Sequence, residues 1–359
     1  MIKVGLVGYG PAGEFFHAPL IAATPGMRLD AVVTRDPERA SRVGRDHPGT
    51  RIVPSAESLL GLDLDLVVVA SPNSTHVPLA TLALSAGLPV VVDKPLAATA
   101  AEALDLARLA RERDLMLTVF QNRRWDGDFL TLATLDLGEV HRFESRFERW
   151  RPVPKGGWRE NGGPDELGGL LYDLGSHLVD QALRYLGPVT DVYAETDIRR
   201  AGVRADDDAF IALTHANGAR SHLWMSAVAG QLGPRFRVLG SRAAYVKWGL
   251  DPQEERLRAG ERPGGPGWGA ERPEQWGVLG VDGDSRAVET EPGAYQEFYA
   301  GVVAALRDGA PPPVDPREVA AALAVLHAAR TSAAERRVVP LTSGAGSPGP
   351  DGRQGSGPA

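Results

Sequence analysis

The stretch VGLVGYGPAGEFF, residues 4–16, decides the fold of the first part of the chain. It passes from an apolar strand pattern into a helical pattern through three glycines in G-x-G-x-x-G spacing. Such glycines permit a tight turn and let backbone amides contact a pyrophosphate at the N-terminus of the helix. The spacing alone is weak evidence, and the strand before it and the helix after it make it specific for a dinucleotide site. The loop residues predicted to bind the cofactor are Gly8, Gly10, Pro11, Ala12 and Gly13.

Short β-branched runs alternate with helical segments over roughly the first 120 residues, which is typical of a parallel sheet wound with helices. From Glu139 onward, longer polar–apolar runs predict a mostly antiparallel sheet with one covered face. We predict one amphipathic helix over 168–187 and a long irregular excursion over 249–293, which is crowded with Gly and Pro. The fold class is therefore α/β. The predicted units are an NAD(P)-binding Rossmann domain over 1–121, a domain for substrate binding and oligomerisation over 122–341, and a flexible tail over 342–359.

The composition excludes several classes of function. Hydrophobic residues make up 43% and charged residues 24% of the 359, as in ordinary globular proteins. The net charge of −7 gives no reason to expect nucleic acid, and no apolar run approaches the ~20 residues of a membrane span. The absence of cysteine excludes disulfides, thiolate metal sites and cysteine nucleophiles. Because the N-terminus shows no secretory leader pattern, we expect a cytoplasmic protein.

The end of the second predicted strand indicates which dinucleotide is bound. An NAD site would end this strand in Asp or Glu, whereas LDAVVTRDPERA ends it in Thr34 and Arg35. The threonine hydroxyl can donate to a 2′-phosphate, and the guanidinium can pair with it. Asp36, which precedes a proline, is interpreted as the N-cap of the next helix. We therefore predict NADP(H) in preference to NAD(H).

Asp173 and His177 lie four residues apart in the leucine-rich segment 168–187, and so on one helical face. Taken alone, the pair permits three interpretations: a structural hydrogen bond, half of a metal site, or a proton-transfer device. No further His/Glu cluster at ligand spacing accompanies it, so we expect no metal. The carboxylate run 206–208 is predicted to be a solvated turn.

Three further stretches make the pattern specific. They are ASPNSTHVPLATLALSAG from Ala70, VVVDKPLA from Val90, and GGLLYDLGSHLVD from Gly168. In this order, together with the glycine loop, residues 1–341 closely resemble the glucose-fructose oxidoreductase / inositol dehydrogenase / rhizopine-catabolism (Gfo/Idh/MocA) family. The stretch QNRRWDGDFLTL is similar to the NADP-dependent scyllo-inositol dehydrogenase branch, which more often has His at the position of Gln121.

The resemblance implies a Rossmann domain followed by an α/β domain with an open, mainly antiparallel sheet. The free face of such a sheet commonly mediates formation of a homodimer or homotetramer. By the same resemblance, Lys94 is the active-site lysine, and Asp173 and His177 are the family's Asp-x-x-x-His pair. The further cofactor contacts that it implies are Ser71, Pro72, Asn73, His76, Asp93 and Lys94.

These residue types suit hydride transfer at a secondary alcohol or ketone. His177 is assigned as the acid/base, because an unperturbed imidazole with a pKa of ~6.5 changes its protonation state near neutral pH. Lys94 would stabilise an alkoxide, and Asp173 would orient the imidazole or bind a substrate hydroxyl. The predicted substrate contacts are Lys94, Asn122, Arg124, Trp125, Asp173 and His177. Core packing is an equal alternative for Trp125.

The predicted function is an NADP(H)-dependent oxidoreductase for a cyclitol or sugar, most specifically one that interconverts scyllo-inositol and its inosose. Two alternatives remain: an enzyme for another polyol or sugar, and a nucleotide-binding sensor that keeps the fold without turnover. The joint presence of Lys94, Asp173 and His177 argues against the sensor, since a pure binder needs no proton-transfer group.

Overall fold

The computed structural model of the protein describes residues 1–163 and 167–341, with the backbone alone for 158 and 159. The predicted tail, 342–359, lies outside the described residues. Within the described part, no helix combines the length and the apolar character that crossing a bilayer requires.

A six-stranded parallel sheet forms the first half of the molecule. Its strands are β1 (Ile2–Val7), β2 (Met27–Val33), β3 (Arg51–Val53), β4 (Leu66–Val69), β5 (Val90–Asp93) and β6 (Leu117–Phe120). The spatial order β3-β2-β1-β4-β5-β6 is that of a doubly wound dinucleotide fold, so the predicted Rossmann architecture is confirmed. The chain turns to opposite sides after β1 and β4, and the crevice at their carboxyl ends is where such folds bind ligands.

Five helices accompany this sheet: α1 (Ala18–Ala23), α2 (Pro37–Asp46), α3 (Ala56–Leu60), α4 (His76–Ser85) and α5 (Ala100–Glu112). A π-helical turn over Gly13–His17 leads from the glycine loop into α1. The carboxylate of Asp36 accepts the N–H groups of Glu38 at 2.9 Å and Arg39 at 3.2 Å, so the predicted N-cap of α2 is confirmed.

A nine-stranded sheet forms the second half. Its strands are β7 (Val140–Glu148), β8 (Val189–Asp197), β9 (Asp208–His215), β10 (Arg220–Ser226), β11 (Phe236–Gly240), β12 (Ala244–Lys247), β13 (Gly277–Val281), β14 (Asp284–Val288) and β15 (Val339–Pro340). Their order is β14-β13-β12-β11-β7-β10-β9-β8-β15. β7 and β10 pair in parallel, and the other described neighbours pair antiparallel, so the mostly antiparallel prediction is confirmed.

The remaining helices are α6 (Gly127–Thr134), α7 (Trp158–Asn161), α8 (Leu170–Asp173), α9 (Gly175–Leu186), α10 (Gln253–Arg258), α11 (Gln296–Asp308) and α12 (Pro316–Glu335). The prediction of one helix over 168–187 is wrong, since the helix is interrupted at Leu174 between α8 and α9. The N–H of His177 donates to Leu174 O at 3.1 Å, and the carbonyl of Asp173 instead accepts Nζ of Lys94 at 2.7 Å. A lysine from the first domain thus takes a carbonyl that a continuous helix would use.

The prediction of an irregular excursion over 249–293 is also wrong. This segment contains α10 and the hairpin β13–β14, which extends the edge of the nine-stranded sheet. The side chain of the fully buried Gln253 fixes it, because its Oε1 accepts the N–H of Tyr295 at 2.7 Å and Nε1 of Trp268 at 3.1 Å. Its Nε2 donates to Trp125 O at 3.1 Å, which ties α10 to the segment after β6.

Two apolar cores underlie the two sheets, but they do not divide the chain at a single point. The first core includes Phe298 and Tyr299 from α11 and Leu323 from α12, although these helices follow the second sheet in sequence. The second core includes Ala322 and Leu326 of the same helix α12. The C-terminal helices therefore join the two halves, and they hold the crevice of the first sheet against the second domain.

The prediction of a solvated turn over 206–208 is corrected by the structure. Asp207 is 1% exposed and accepts Nε of Arg200 at 2.9 Å. Oδ2 of Asp206 accepts the N–H of Leu171 at 2.7 Å, which anchors the start of α8. Burial raises the pKa of Asp206 to about 6.

Candidate active site

The glycine loop after β1 is shaped for close approach of a ligand. Gly8 has a φ of +100°, and a Cβ there would lie 2.6 Å from Ala70 O. A Cβ on Gly13 would lie 2.2 Å from Gly8 O, so this glycine lets the helix start pack directly against the loop. A Cβ on Gly10 would meet nothing within 4 Å, because Gly10 faces open space. The loop therefore fits a dinucleotide pyrophosphate held by backbone amides.

A cleft of about 280 Å³ lies beside this loop, at the carboxyl ends of β1, β4 and β5. The predicted cofactor residues that line it are Gly8, Gly10, Pro11, Ala12, Ser71, Pro72, Asn73, Asp93 and Lys94. Gly13, Thr34, Arg35 and His76 do not line it. Arg39, which no motif indicated, does line it, and its place in the first turn of α2, four residues after Arg35, was the available signal.

Thr34 and Arg35 lie just beyond β2, at the edge of the sheet that carries the cleft. Oγ1 of Thr34 accepts the N–H of Asp36 at 3.2 Å. Nε of Arg35 donates to Pro54 O at 2.9 Å, which leaves its two Nη groups with no partner among the described residues. Those groups are therefore available to an anion.

His76 joins the loop after β4 to the loop after β5. It is fully buried, with Nδ1 at 2.7 Å from Pro95 O and Nε2 at 2.9 Å from Ser71 O. It thus supports the backbone next to Lys94 from outside the cleft. The Lys94–Pro95 peptide bond is cis.

Lys94, Asp173 and His177 come together where the two domains meet. Nζ of Lys94 donates to Asp173 Oδ1 at 2.9 Å, and the two side chains are 15% and 19% exposed. His177 is buried, and its Nδ1 has no hydrogen-bond partner among the described residues. Burial lowers the pKa of His177 well below its ordinary value, and the positive charges of Lys94 and Arg123 lower it further. A neutral imidazole is therefore present at neutral pH, as a general base requires.

These three side chains line a cavity of about 460 Å³ that opens toward the cofactor cleft. The residues that line both spaces are Pro11, Ala12, Asp93, Lys94 and Asp173. Asn122, which follows β6, lines the larger cavity as well. A nicotinamide at the end of the cleft and a substrate in the cavity would therefore be neighbours.

The structure corrects the substrate contact predicted for Arg124. Its Nε and Nη2 donate to the two carboxylate oxygens of Asp180 at 2.8 and 2.6 Å, and its Nη1 donates to Glu318 at 2.6 Å. Trp125 packs edge-on against Phe298, with 5.7 Å between the ring centroids. Neither residue lines the cavity, and Trp125 is one of the partly buried side chains packed against the first core. Both stabilise the joint between the domains.

Arg123 lines the cavity in place of Arg124, and Nη2 of Arg123 donates to Glu254 at 2.7 Å. A 3₁₀ turn over Asn122–Trp125 directs adjacent side chains about 120° apart, so sequence alone did not distinguish the two arginines. Arg149, just after β7, is a second cavity residue that no motif indicated.

His17 is a buried residue beside the site that no motif indicated. It is fully buried, with Nδ1 at 2.6 Å from the hydroxyl of Tyr299 and Nε2 at 3.6 Å from Oδ1 of Asp93. Nε2 makes no hydrogen bond to the described residues, so His17 is a buried neighbour of Asp93, which lines both the cleft and the cavity. Across the described residues, no group of three or more His, Cys, Asp or Glu is arranged to hold a metal ion.

Comparison with known families agrees with this geometry. Residues 2–121 match the NAD-binding Rossmann fold of the Gfo/Idh/MocA oxidoreductase family, and residues 132–341 match its C-terminal alpha/beta domain. The chain belongs to the Gfo/Idh/MocA family. The family predicted from the ordered motifs is confirmed, and this member is an NAD(P)-dependent oxidoreductase.

Relatives of this Gfo/Idh/MocA protein extend over nearly its whole length. The uncharacterized oxidoreductase YdgJ of Escherichia coli is 43% identical over 322 residues, which are 87% of this chain and 91% of YdgJ. The scyllo-inositol 2-dehydrogenase (NADP(+)) IolW of Bacillus subtilis is 34% identical over 95% of this chain and 96% of IolW. The structure of the oxidoreductase yvaA from Bacillus subtilis superposes with a TM-score of 0.90 at 32% identity, over 95% of this chain and 98% of yvaA.

Proposed function

We propose that this protein transfers a hydride between NADP(H) and a secondary alcohol or ketone of a cyclitol or sugar. The observation that carries the proposal is the cavity lined by Lys94, Asp173 and His177, which shares part of its wall with the dinucleotide cleft. An ammonium group, a carboxylate and a neutral imidazole there supply what an alcohol needs to lose a hydride and a proton.

The chain's own residues handle the proton and the charge on oxygen. When bound, the nicotinamide accepts the hydride in oxidation and donates it in reduction. In oxidation, His177 takes the hydroxyl proton, and its low pKa keeps it neutral and ready to do so. In reduction, the protonated His177 returns that proton to the carbonyl oxygen. The ammonium of Lys94 donates a hydrogen bond to the same oxygen and stabilises negative charge on it.

Asp173 positions Lys94 for this role. Its carboxylate and its backbone carbonyl accept two of the three ammonium N–H groups, at 2.9 and 2.7 Å. The third N–H is then the one that a substrate oxygen can accept. The pair thereby fixes the direction of the donor that the oxygen meets.

We propose NADP(H) as the preferred cofactor, with NAD(H) as the alternative. The free Nη groups of Arg35 and the nearby Arg39 provide positive charge where a 2′-phosphate would lie, and Thr34 lies beside them. A relative named as an NADP(+)-dependent enzyme, IolW, supports the same preference.

We propose scyllo-inositol and its inosose as the most specific substrate pair, since IolW is named for that reaction. An aldose or another polyol is the enzymatic alternative. A silent nucleotide sensor is the alternative of another class, and the cavity next to the cleft argues against it because a sensor needs no buried base beside the nicotinamide.

The experiment supplies NADP⁺ and, in turn, scyllo-inositol, other inositols and aldoses, and follows the absorbance of the reduced cofactor. We expect reduction with at least one cyclitol, and NADPH to bind more tightly than NADH in a fluorescence titration. Tight NADPH binding without turnover of any polyol or ketone in either direction would favour the sensor.

We further propose that the protein acts as a cytoplasmic homodimer or homotetramer joined through the free face of the nine-stranded sheet. On that face Phe210 and Trp224 lie 5.2 Å apart, and the guanidinium of Arg146 lies 3.9 Å above Trp224. Both aromatic rings are only partly buried in one copy of the chain, and a second copy would cover them. We also propose that the boundary between the cofactor-binding domain and the substrate-binding domain lies between residues 121 and 122.

A further inference from the structure

One wall of the active-site cavity carries a cluster of basic side chains. Arg149, Arg151 and Lys155 follow β7 and line this wall. Within the described part of the chain, no carboxylate pairs with any of the three side chains. Arg149 is partly buried, whereas Arg151 and Lys155 are exposed. Arg149 is therefore the one whose charge is costly to leave unpaired.

The other basic side chains of the cavity differ in this respect. Nζ of Lys94 lies 2.9 Å from Asp173, and Nη2 of Arg123 lies 2.7 Å from Glu254. Nη1 of Arg200 lies 2.9 Å from Glu160. Each of these three carboxylates thus has its own cationic partner, and the charges of Glu254 and Asp173 act on Arg149 without a direct ion pair.

The backbone and an aromatic ring hold Arg149 in place. Its N–H donates to Ser226 O at 2.8 Å, and its carbonyl accepts the N–H of Ala229 at 3.2 Å. Its guanidinium lies 4.7 Å from the centroid of the buried Phe147 ring, a contact that orients the plane and leaves the N–H groups free. Burial, with the charge of Arg151 close by, lowers the pKa of Arg149 to about 10. The guanidinium nevertheless remains protonated at neutral pH.

We propose that the substrate is a polyol bearing an anionic group, a carboxylate or a phosphate, which Arg149 binds inside the cavity. This inference rests on the proposed function: it keeps the hydride transfer at the same site and replaces the neutral scyllo-inositol by an anionic polyol as the preferred substrate. A guanidinium offers paired N–H donors that match either anion, and Arg151 and Lys155 add attraction at the mouth. A neutral polyol such as an inositol would leave this wall unpaired, so neutral and acidic polyols should bind differently.

Three ligands with the same carbon chain test the proposal: sorbitol, D-gluconate and sorbitol 6-phosphate. Calorimetric binding to the NADPH-loaded protein separates this site from the cofactor's own phosphate contacts. We expect at least one anion to bind about tenfold more tightly than sorbitol, and the tighter of the two identifies the anionic group. Equal binding of all three ligands would overturn the proposal.

Arg149→Gln should remove that preference while NADPH affinity and the thermal midpoint stay near wild type. Arg149→Lys should keep part of it, which covers the case in which the glutamine variant fails to fold. Arg146→Gln is the matched control, since Arg146 lies on β7, three residues before Arg149, with its guanidinium over Trp224 and outside the cavity. An undiminished preference in either Arg149 variant would contradict the proposal. Failure of the proposed function would instead appear as intact anion binding without reduction of NADP⁺ by any polyol.

Discussion

Replacing His177 with asparagine is the sharpest test of the acid–base assignment, because asparagine keeps polar volume but takes up no proton. General acid–base catalysis contributes about 10²–10⁴-fold, which corresponds to ~3–5 kcal/mol of barrier. The side chain is 6% exposed, and its Nδ1 makes no hydrogen bond to the described residues. The substitution therefore removes no protein contact at that atom, and we expect kcat to fall by that factor with NADPH binding unchanged.

The pH profile of the wild type follows from the same geometry. The imidazole must be neutral to accept the alcohol proton, and burial together with the charges of Lys94 and Arg123 holds the pKa of His177 well below 6.5. Oxidation should therefore remain on its plateau at pH 6.5 and decline only as pH falls further. The charge of Asp173 raises this pKa, so Asp173→Asn should move the acid limb to still lower pH.

The assay measures initial rates of NADP⁺ reduction from about pH 5 to about pH 9. His215→Asn is the matched control, because this buried histidine bonds Gly187 O at 2.8 Å and Ser221 Oγ at 2.7 Å away from the cavity. The His215→Asn variant should be less stable than the wild type, while the acid limb of its pH–rate profile keeps the wild-type position. The reasoning is refuted if His177→Asn keeps more than about a tenth of wild-type kcat, or if the wild-type acid limb is centred at or above pH 6.5.

Three further substitutions test other parts of the structure. Arg124→Met leaves the buried carboxylate of Asp180 unpaired, so urea titration should show about 3–5 kcal/mol less stability while the KM of the folded enzyme is unchanged. Burial, reinforced by Asp251, raises the pKa of Asp126 to about 8, so the folded chain keeps a proton that the unfolded chain releases near 3.8. The stability from this proton is complete below pH 3.8 and is lost as pH rises toward 8, and Asp126→Asn should flatten that slope in urea midpoints. Arg35→Ala should weaken NADPH binding about tenfold in fluorescence titrations and leave NADH binding unchanged.

Each of these has a clear contrary outcome. A raised KM in the Arg124 variant would return that residue to substrate binding. An unchanged pH slope in the Asp126 variant would mean that the carboxyl is ionised in the folded protein. If the Arg35 variant binds NADPH as tightly as the wild type, the contact with the 2′-phosphate should be assigned to Arg39 instead.

Local sequence patterns were sufficient to predict most of the first domain. The central strands β1, β4 and β5 and the strand β6 are almost fully buried and mostly apolar, whereas the edge strand β3 is partly exposed, and the glycine loop marks the first turn between strand and helix. Asp36 could be assigned as an N-cap because the cap and the N–H groups that it accepts lie within three residues. The lining of the cleft by the loops after β1, β4 and β5 follows from parallel strands ending at one edge of a sheet.

Contacts between residues far apart in the chain explain the two segments whose structure the sequence predicted wrongly. The helix over 168–187 is interrupted because Lys94, 79 residues away, takes the carbonyl of Asp173. The segment 249–293 is ordered because Gln253 satisfies backbone and side-chain groups from three other parts of the chain. Secondary-structure propensity reflects only residues that are close together in the sequence. It therefore cannot predict the hydrogen bonds that Lys94 and Gln253 make to distant parts of the chain.

The sequence by itself determined the dinucleotide fold, the family and the identity of Lys94, Asp173 and His177 as the candidate chemical groups, because these lie in short, ordered motifs. Only the tertiary structure decided what surrounds them. In the folded protein Arg124 forms an ion pair with Asp180, and Arg123 and Arg149 line the cavity. Side-chain direction and burial depend on packing between elements far apart in the chain, and the same packing sets the low pKa of His177.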